Sequence, residues 1–218
     1  MEIQRIQKFN PTSMPDASIS ILIGMQQTGK STLIRDILWH REPFQKVSIL
    51  VGYDYSKWCF QTFAPGDATQ EEYSAERVRF ITDMAETTKS LLVLHNCIFD
   101  QKVIHQPEFC SIFNRPPHLT FFMSQIYAIG LQRWQKERID YVFVLRENFL
   151  ANRRRIYEHH ASDLTDFETF NQLMVTFTKD YDCLVIDKTK KVSRALEDHF
   201  FWYHPAKDLP PFSCISSE

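Results

Sequence analysis

The 218-residue chain has the pattern of an α/β domain, a mostly parallel central sheet with helices on both faces. Three observations predict this. Apolar runs of strand length recur along the chain, and segments with helical spacing lie between them. Only five glycines occur, and two of them fall inside one nine-residue motif. The 44% hydrophobic content suits one compact domain with a sizeable core. Residues 1–17 read as an N-terminal extension, 18–206 as the domain and 207–218 as a C-terminal tail, with "LPPFSCISSE" at its end a loose segment.

The elements follow in order. "SISILIG" alternates into an apolar run and reads as the first strand. In "KSTLIRDILWH", Leu33, Ile34, Ile37 and Leu38 share one helical face, and Pro43 ends the helix. "QKVSILVGYDY" reads as the second strand, and Val78, Ile81 and Met84 mark a helix in the polar stretch that follows. "SLLVLHNCIF" is the third strand. "QPEFCSIFNRPP" is a short helix stopped by Pro116 and Pro117. "HLTFFMSQI" is a fourth strand ending on Ser124 and Gln125, and "IDYVFVLRE" is a fifth. "NRRRIYEHHA" and "LTDFETFNQLMVTFTK" are helical, "YDCLVIDK" is a sixth strand, and "HFFWYHP" is a short terminal strand.

Bulk properties narrow the function. A formal net charge of −2 gives no global basic field, so contact with nucleic acid requires a local patch or several assembled copies. The five cysteines are odd in number and scattered, which predicts reduced thiols in a cytosolic-type compartment. The N-terminus lacks the charged start and apolar core of a signal peptide. No apolar run approaches the roughly 20 residues that span a bilayer. These features predict a soluble, non-secreted protein without a membrane partner.

The nine-residue motif is "GMQQTGKST", which fits G-x-x-x-x-G-K-[ST]. It lies between a predicted strand and a predicted helix, the context in which the motif means a P-loop. Gly24, Met25, Gln26, Gln27, Thr28, Gly29, Lys30, Ser31 and Thr32 are therefore the candidate nucleotide-binding residues. The glycines let successive N–H groups turn toward phosphate oxygens, and the helix N-terminus adds to that field. Lys30 is placed to reach the β- and γ-phosphates, and the Ser31 hydroxyl to ligate Mg²⁺. ATP and Mg²⁺ are the expected cofactors. Such proteins hold the metal partly through an aspartate at the end of a neighbouring strand. "CLVID" ends on Asp187 and fits the pattern better, whereas "SLLVLHN" occupies the expected place in chain order but ends on His95 and Asn96.

From about Ile19 to Pro205 the chain resembles the DNA-packaging ATPases of large double-stranded DNA viruses, of the poxvirus, iridovirus and giant-virus type within the FtsK–HerA superfamily. The blocks that carry the resemblance are "GMQQTGKST", "LLVLHNCIFD", "IFNRPPHLTFFMSQ", "RIDYVFVLREN", "NRRRIYEHHA" and "YDCLVIDKT…FFWYHPA". It implies one RecA-like P-loop domain, a homo-oligomeric ring around double-stranded DNA, a capsid or portal partner, and a location in a cytoplasmic virus factory or in the virion. It also implies that Gln125 senses the γ-phosphate and that Arg115 is a candidate arginine finger, since "NRPPH" stands where the family has an Asn-Gly-Arg-His turn. Lys136, flanked by Arg133 and Arg138, stands where the family has an arginine.

The chain departs from the family at its third strand. Two adjacent acids are replaced by His95 and Asn96, and a further acid matches Asp100. Mg²⁺ prefers oxygen ligands, whereas imidazole suits softer metals. Asn96 can hydrogen-bond a water but takes up no proton at neutral pH. Losing a general base costs about 10²–10⁴ in rate. The expectation is retained nucleotide binding with impaired hydrolysis. Asp100 could supply an acid only through a tight turn, and His95 could itself act as base. Arg153, Arg154 and Arg155 could meet DNA phosphates, act as a finger, or simply form a solvated helix start. His159 and His160 are placed for cationic imidazoles to suit a helix C-terminus. Three functions remain open: a packaging ATPase, a non-hydrolysing nucleotide-binding or structural paralogue of one, and a small-molecule phosphotransferase with "NRRR" as its phosphate clamp.

Overall fold

The structure is a computed structural model that describes residues 5–52, 54–190, 193 and 195–216, the side chains of 54–56 apart. Its strands are β1 (Gln7–Lys8), β2 (Ser18–Ile23), β3 (Lys46–Val51), β4 (Thr69–Glu71), β5 (Ser90–His95), β6 (Leu119–Gln125), β7 (Tyr141–Val144), β8 (Cys183–Asp187) and β9 (Phe200–Tyr203). They form a single sheet in the order β1-β9-β8-β7-β2-β6-β5-β3-β4. All pairs are parallel except β7–β8 and β8–β9. The helices are α1 (Lys30–Trp39), α2 (Asp54–Gln61), α3 (Ala75–Met84), α4 (Pro107–Ile112), α5 (Arg133–Lys136), α6 (Leu150–His160), α7 (Phe167–Phe177) and α8 (Leu196–His199). The expected mostly parallel α/β sheet is present.

A strand alternates its side chains between faces, and here both faces are buried. Ile19, Ile21 and Ile23 of β2 join Leu92, Leu94, Phe121 and Met123 in a core with Val78 of α3, Phe109 of α4, Ile156 of α6 and Phe170 of α7. Leu22 points the other way, with Leu91, Val93, Phe122 and Phe143, into a core with Leu33, Ile34, Ile37 and Leu38 of α1. The four apolar residues of the predicted α1 face are all buried.

Two strands and three helices, the four-residue α8 among them, had no clear signal in the sequence. β1 and β4 are two and three residues long at the sheet margins, and α2 and α5 are short and mostly polar. The segment ahead of β2 joins the sheet: β1 pairs with β9, and Phe9 packs edge-on against Tyr141 and Phe143. The C-terminal segment is pinned rather than loose. The Cys214 amide donates to the Phe63 carbonyl at 2.8 Å, and the Phe44 amide donates to the Cys214 carbonyl at 2.8 Å. Phe212 stacks on Phe63 with ring centroids 5.3 Å apart. A tail with only three large side chains lacks a periodic signal, so its docking is tertiary. The five cysteines are free thiols, with Cys97, Cys183 and Cys214 buried.

Deleting residues 212–218 uncovers Phe44 and Phe63. It should lower the stability read from urea denaturation by about 2 kcal/mol or more. An unchanged midpoint would show that the tail contributes nothing to the core.

Candidate functional site

The C-terminal ends of β2, β6, β5 and β3 stand side by side, linked by backbone hydrogen bonds. Gly24 N donates to Gln125 O at 3.1 Å, Asn96 N to Ser124 O at 2.9 Å, and Gly52 N to His95 O at 2.9 Å. Position 52 admits no side chain, because a Cβ there would lie 1.9 Å from the Asn96 carbonyl oxygen. Asn96 itself is left-handed, with φ 49°, a conformation that asparagine tolerates.

The glycine loop joins β2 to α1. Gly29 has φ +100°, which favours glycine, and it turns the chain so that α1 begins at Lys30. Thr28 Oγ1 donates to the Met25 carbonyl at 2.8 Å and so ties the loop to itself. Lys30 is buried, and its Nζ donates to the carbonyls of Gly24 at 2.6 Å and Met25 at 2.8 Å. Burial lowers its pKa to about 8, so it stays cationic at neutral pH. A cavity of about 510 Å³ opens over this loop, the size of a small-molecule site. Gln26, Gln27, Gly29, Lys30, Ser31 and Thr32 border it, while Gly24, Met25 and Thr28 shape the loop from behind. The cations of Lys30, Arg35 and Lys207 face this cavity, and no Asp or Glu is among its described lining residues.

His95 is buried at the end of β5. Its Nδ1 lies 2.6 Å from Ser124 Oγ and its Nε2 3.3 Å from Ser31 Oγ, with the Phe60 ring edge-on at 5.0 Å. Burial first, and the charge of Lys30 second, push its pKa down to about 3. The imidazole is therefore neutral at physiological pH. Asn96 Nδ2, a donor only, sits 3.4 Å from Nε2, so Nε2 accepts and Nδ1–H donates to Ser124. The Ser31 hydroxyl then turns its proton toward His95 and its lone pairs outward. Asn96 Oδ1 is buried without a partner. These residues fit phosphate oxygens well and Mg²⁺ poorly. Ser31 Oγ is a hard oxygen donor, but the neighbouring position offers imidazole nitrogen instead of carboxylate.

The other predicted residues are placed as follows. Gln125 meets the loop through its carbonyl, but its side chain does not line the cavity over the loop. Arg115 lies at the opposite end of the sheet, just ahead of β6. Its Nη2 pairs with Asp140 at 3.0 and 3.1 Å, and Asp140 Oδ2 also accepts from Ile19 N. Within one chain the structure does not bring Arg115 to the site. Asp187 is also remote. β8 runs antiparallel, so Asp187 pairs with Tyr141 at the far end and accepts from Thr189. Asp100 is exposed and caps a 3₁₀ turn through Lys102 N.

The three arginines of "NRRR" serve three different ends. Arg153 donates to the Glu147 and Asn148 carbonyls and to Asn171 Oδ1. Arg154 lies over the Phe167 ring at 4.0 Å. Arg155 does neither. The expectation of a cationic His160 is corrected: it is fully buried, and burial followed by the charge of Lys188 holds it neutral. Sequence reasoning missed Trp58, Tyr181, Pro205 and Lys207 of the cavity wall, which come from distant segments. Asp180 and Tyr181 have φ 50° and 70°, and this turn sets the Tyr181 ring against Gly29.

The His95 pKa has a stability consequence. A lowered pKa means that the unfolded chain takes up the proton first, at its ordinary value of 6.5. Stability is full above about pH 6.5 and is lost as pH falls toward 3, with a one-proton slope of about 1.4 kcal/mol per pH unit at most. Denaturation midpoints between pH 7 and 4 should fall more steeply for the native chain than for His95→Gln. Parallel profiles would contradict a neutral, buried imidazole.

No protein-family model matches the chain. It is 28% identical over 200 residues to the uncharacterized protein 075L of Invertebrate iridescent virus 6, covering 86% of this chain and 78% of that protein. It is 24% identical over 208 residues to the uncharacterized protein 088R of Invertebrate iridescent virus 3, covering 89% and 79%. Among solved structures, the genome packaging NTPase B204 of Sulfolobus turreted icosahedral virus 2 with ATP-gammaS superposes at a TM-score of 0.60 with 16% identity, covering 88% of this chain and 99% of B204. The DNA-packaging ATPase B204 of Sulfolobus turreted icosahedral virus superposes at 0.58 with 17% identity, covering 88% and 98%. This chain thus has the fold of viral genome-packaging NTPases and sequence relatives in iridoviruses.

Proposed function

We propose that the chain binds ATP at the glycine loop and hydrolyses it slowly or not at all, as a relative of viral packaging motors with His95 and Asn96 in place of acids at the end of β5. One observation carries this reading. A cation-lined cavity over the loop has His95, held neutral against Ser31, where a carboxylate would serve the metal and the attacking water. Lys30 and the N–H groups that begin α1 hold the phosphates, and Ser31 offers its hydroxyl oxygen to the magnesium that accompanies them. Gln125 is joined to the loop only through its carbonyl, which accepts from the Gly24 amide, so its response to a bound γ-phosphate passes through that backbone bond and not through its side chain. Asn96 orients a water but does not deprotonate it. His95 is a poor substitute base, since its pKa is far below neutrality and its Nε2 already faces Ser31.

A second reading, an active motor, is favoured by the fold shared with B204. In it the chain assembles as a ring of like subunits on double-stranded DNA at a capsid or portal, inside an infected cell or in the virion, and Arg115 acts on a neighbour's nucleotide. The phosphotransferase reading keeps only Arg155 of its three-arginine clamp, because Arg153 and Arg154 are engaged within the chain.

ATP binding and steady-state hydrolysis measured together test the proposal. Lys30→Ala should abolish binding, and binding that survives it would show the loop assignment to be wrong. Because Asn96 has φ 49°, aspartate is the acid its backbone accepts. His95→Asp with Asn96→Asp should raise turnover by about 10²-fold or more over the native chain. Native turnover equal to that of the double variant would sink the slow-hydrolysis reading. DNA-stimulated native turnover would favour the motor.

A further inference from the structure

Behind the strand ends, on the α6 side of the sheet, lies a second cavity of about 260 Å³. Alternation along β6 explains its position. Ser124 follows Phe122 toward the α1 face and meets His95, whereas Gln125 follows Met123 toward the opposite face. Gln125 lines this second cavity together with Gln101, Arg155 and the aromatic rings of Phe99 and Tyr127. Asn96 lines both cavities, so it stands between them.

Three features give this chamber a chemistry. Gln125 is only 7% exposed, and its Nε2 is buried without a hydrogen-bond partner. An unmade donor in such a place costs about 1–3 kcal/mol unless something accepts from it. Arg155 forms no ion pair among the described residues and none of the hydrogen bonds or ring contacts that engage Arg153 and Arg154. No Asp or Glu is among the described residues of the wall. A buried free donor and an unneutralised guanidinium, with no carboxylate to oppose them, favour an anion with several acceptor oxygens. The volume suits a tetrahedral oxyanion with a few waters, at about 30 Å³ each, and is small for a nucleoside.

We propose that this chamber is a second oxyanion site, which seats inorganic phosphate on Arg155 and Gln125 and communicates with the nucleotide cavity past Asn96. Delivery of phosphate from the nucleotide rests on the second reading above, in which ATP is hydrolysed; the binding of phosphate from solution does not. Arg155 supplies two parallel N–H donors, and the Gln125 amide, whose Nε2 is turned inward without a partner, supplies a third once the amide rotates to face the bound phosphate.

Inorganic phosphate is titrated by calorimetry into the chain saturated with the methylene analogue of ATP, so that the glycine loop is already filled. The same titration is made into Lys30→Ala without nucleotide. The expected result is one phosphate per chain in both arms. Arg155→Ala should weaken it at least tenfold, Arg155→Lys should restore only the part that charge alone supplies, and Arg154→Ala should leave it unchanged. Denaturation midpoints confirm that each variant is folded. Absence of phosphate binding in the Lys30→Ala arm, or equal weakening by Arg154→Ala and Arg155→Ala, would overturn the inference. If the ATP analogue itself fails to bind while phosphate still depends on Arg155, the chamber stands and the ATP-binding reading falls.

Discussion

At one edge of the sheet the Gly24 amide reaches Gln125, the Asn96 amide reaches Ser124, and the Gly52 amide reaches His95. These bonds continue the parallel ladders just past the strands and hold four strand ends in step. Because side chains alternate with a period of two, a shift of one residue would send Ser124 to the wrong face and remove the partner of His95. The same register places Lys30 and Ser31 beside β5 and Gln125 behind it. Gly52 makes this geometry sterically possible, since any larger residue would strike the Asn96 backbone. The site is thus a property of strand register before it is a property of any side chain.

Under the proposed function, imidazole in place of an acid at position 95 separates two abilities. A carboxylate at position 95 would carry negative charge close to Lys30 and offset part of the positive field of the loop. A neutral His95 leaves that field whole, with Arg35 and Lys207 adding to it. The attraction for a polyphosphate therefore survives or grows. What disappears is a proton acceptor and a hard ligand for the metal. Holding a nucleotide and splitting it depend on opposite charges in one small volume, so a single substitution can keep the first and lose the second.

Much of this was legible in the sequence, for physical reasons. Strands buried on both faces require continuous apolar runs, so β2, β3, β5, β6, β7 and β8 could each be found. The α1 face was visible because a helix packed on a sheet needs a periodic stripe. Marginal strands such as β1 and β4 have no such requirement. The side-chain contacts were less legible. "NRRR" gives no sign that one arginine folds back, one stacks on Phe167 and one faces a cavity. That difference follows from helix rotation relative to neighbours such as Phe167 and Asn171 on the next helix. Tyr181 and Lys207 reach the cavity only through the path of the C-terminal strands, and no local pattern announces it.

That path also decides which acid can take part. "CLVID" has the better apolar-then-acid pattern, and a parallel β8 would have delivered Asp187 to the same edge as the glycine loop. Instead β8 is antiparallel to β7, so it begins at that edge and carries Asp187 to the other, where Thr189 occupies the carboxylate. β9 reverses again and returns to the edge, which brings Pro205 and Lys207 to the cavity wall. One reversal of strand direction thus removes an acid from the site, and the next adds a cation to it. Both changes leave the cavity wall with cations and without a described carboxylate. The arrangement of charge in this protein is therefore set as much by topology as by the residues at the end of β5.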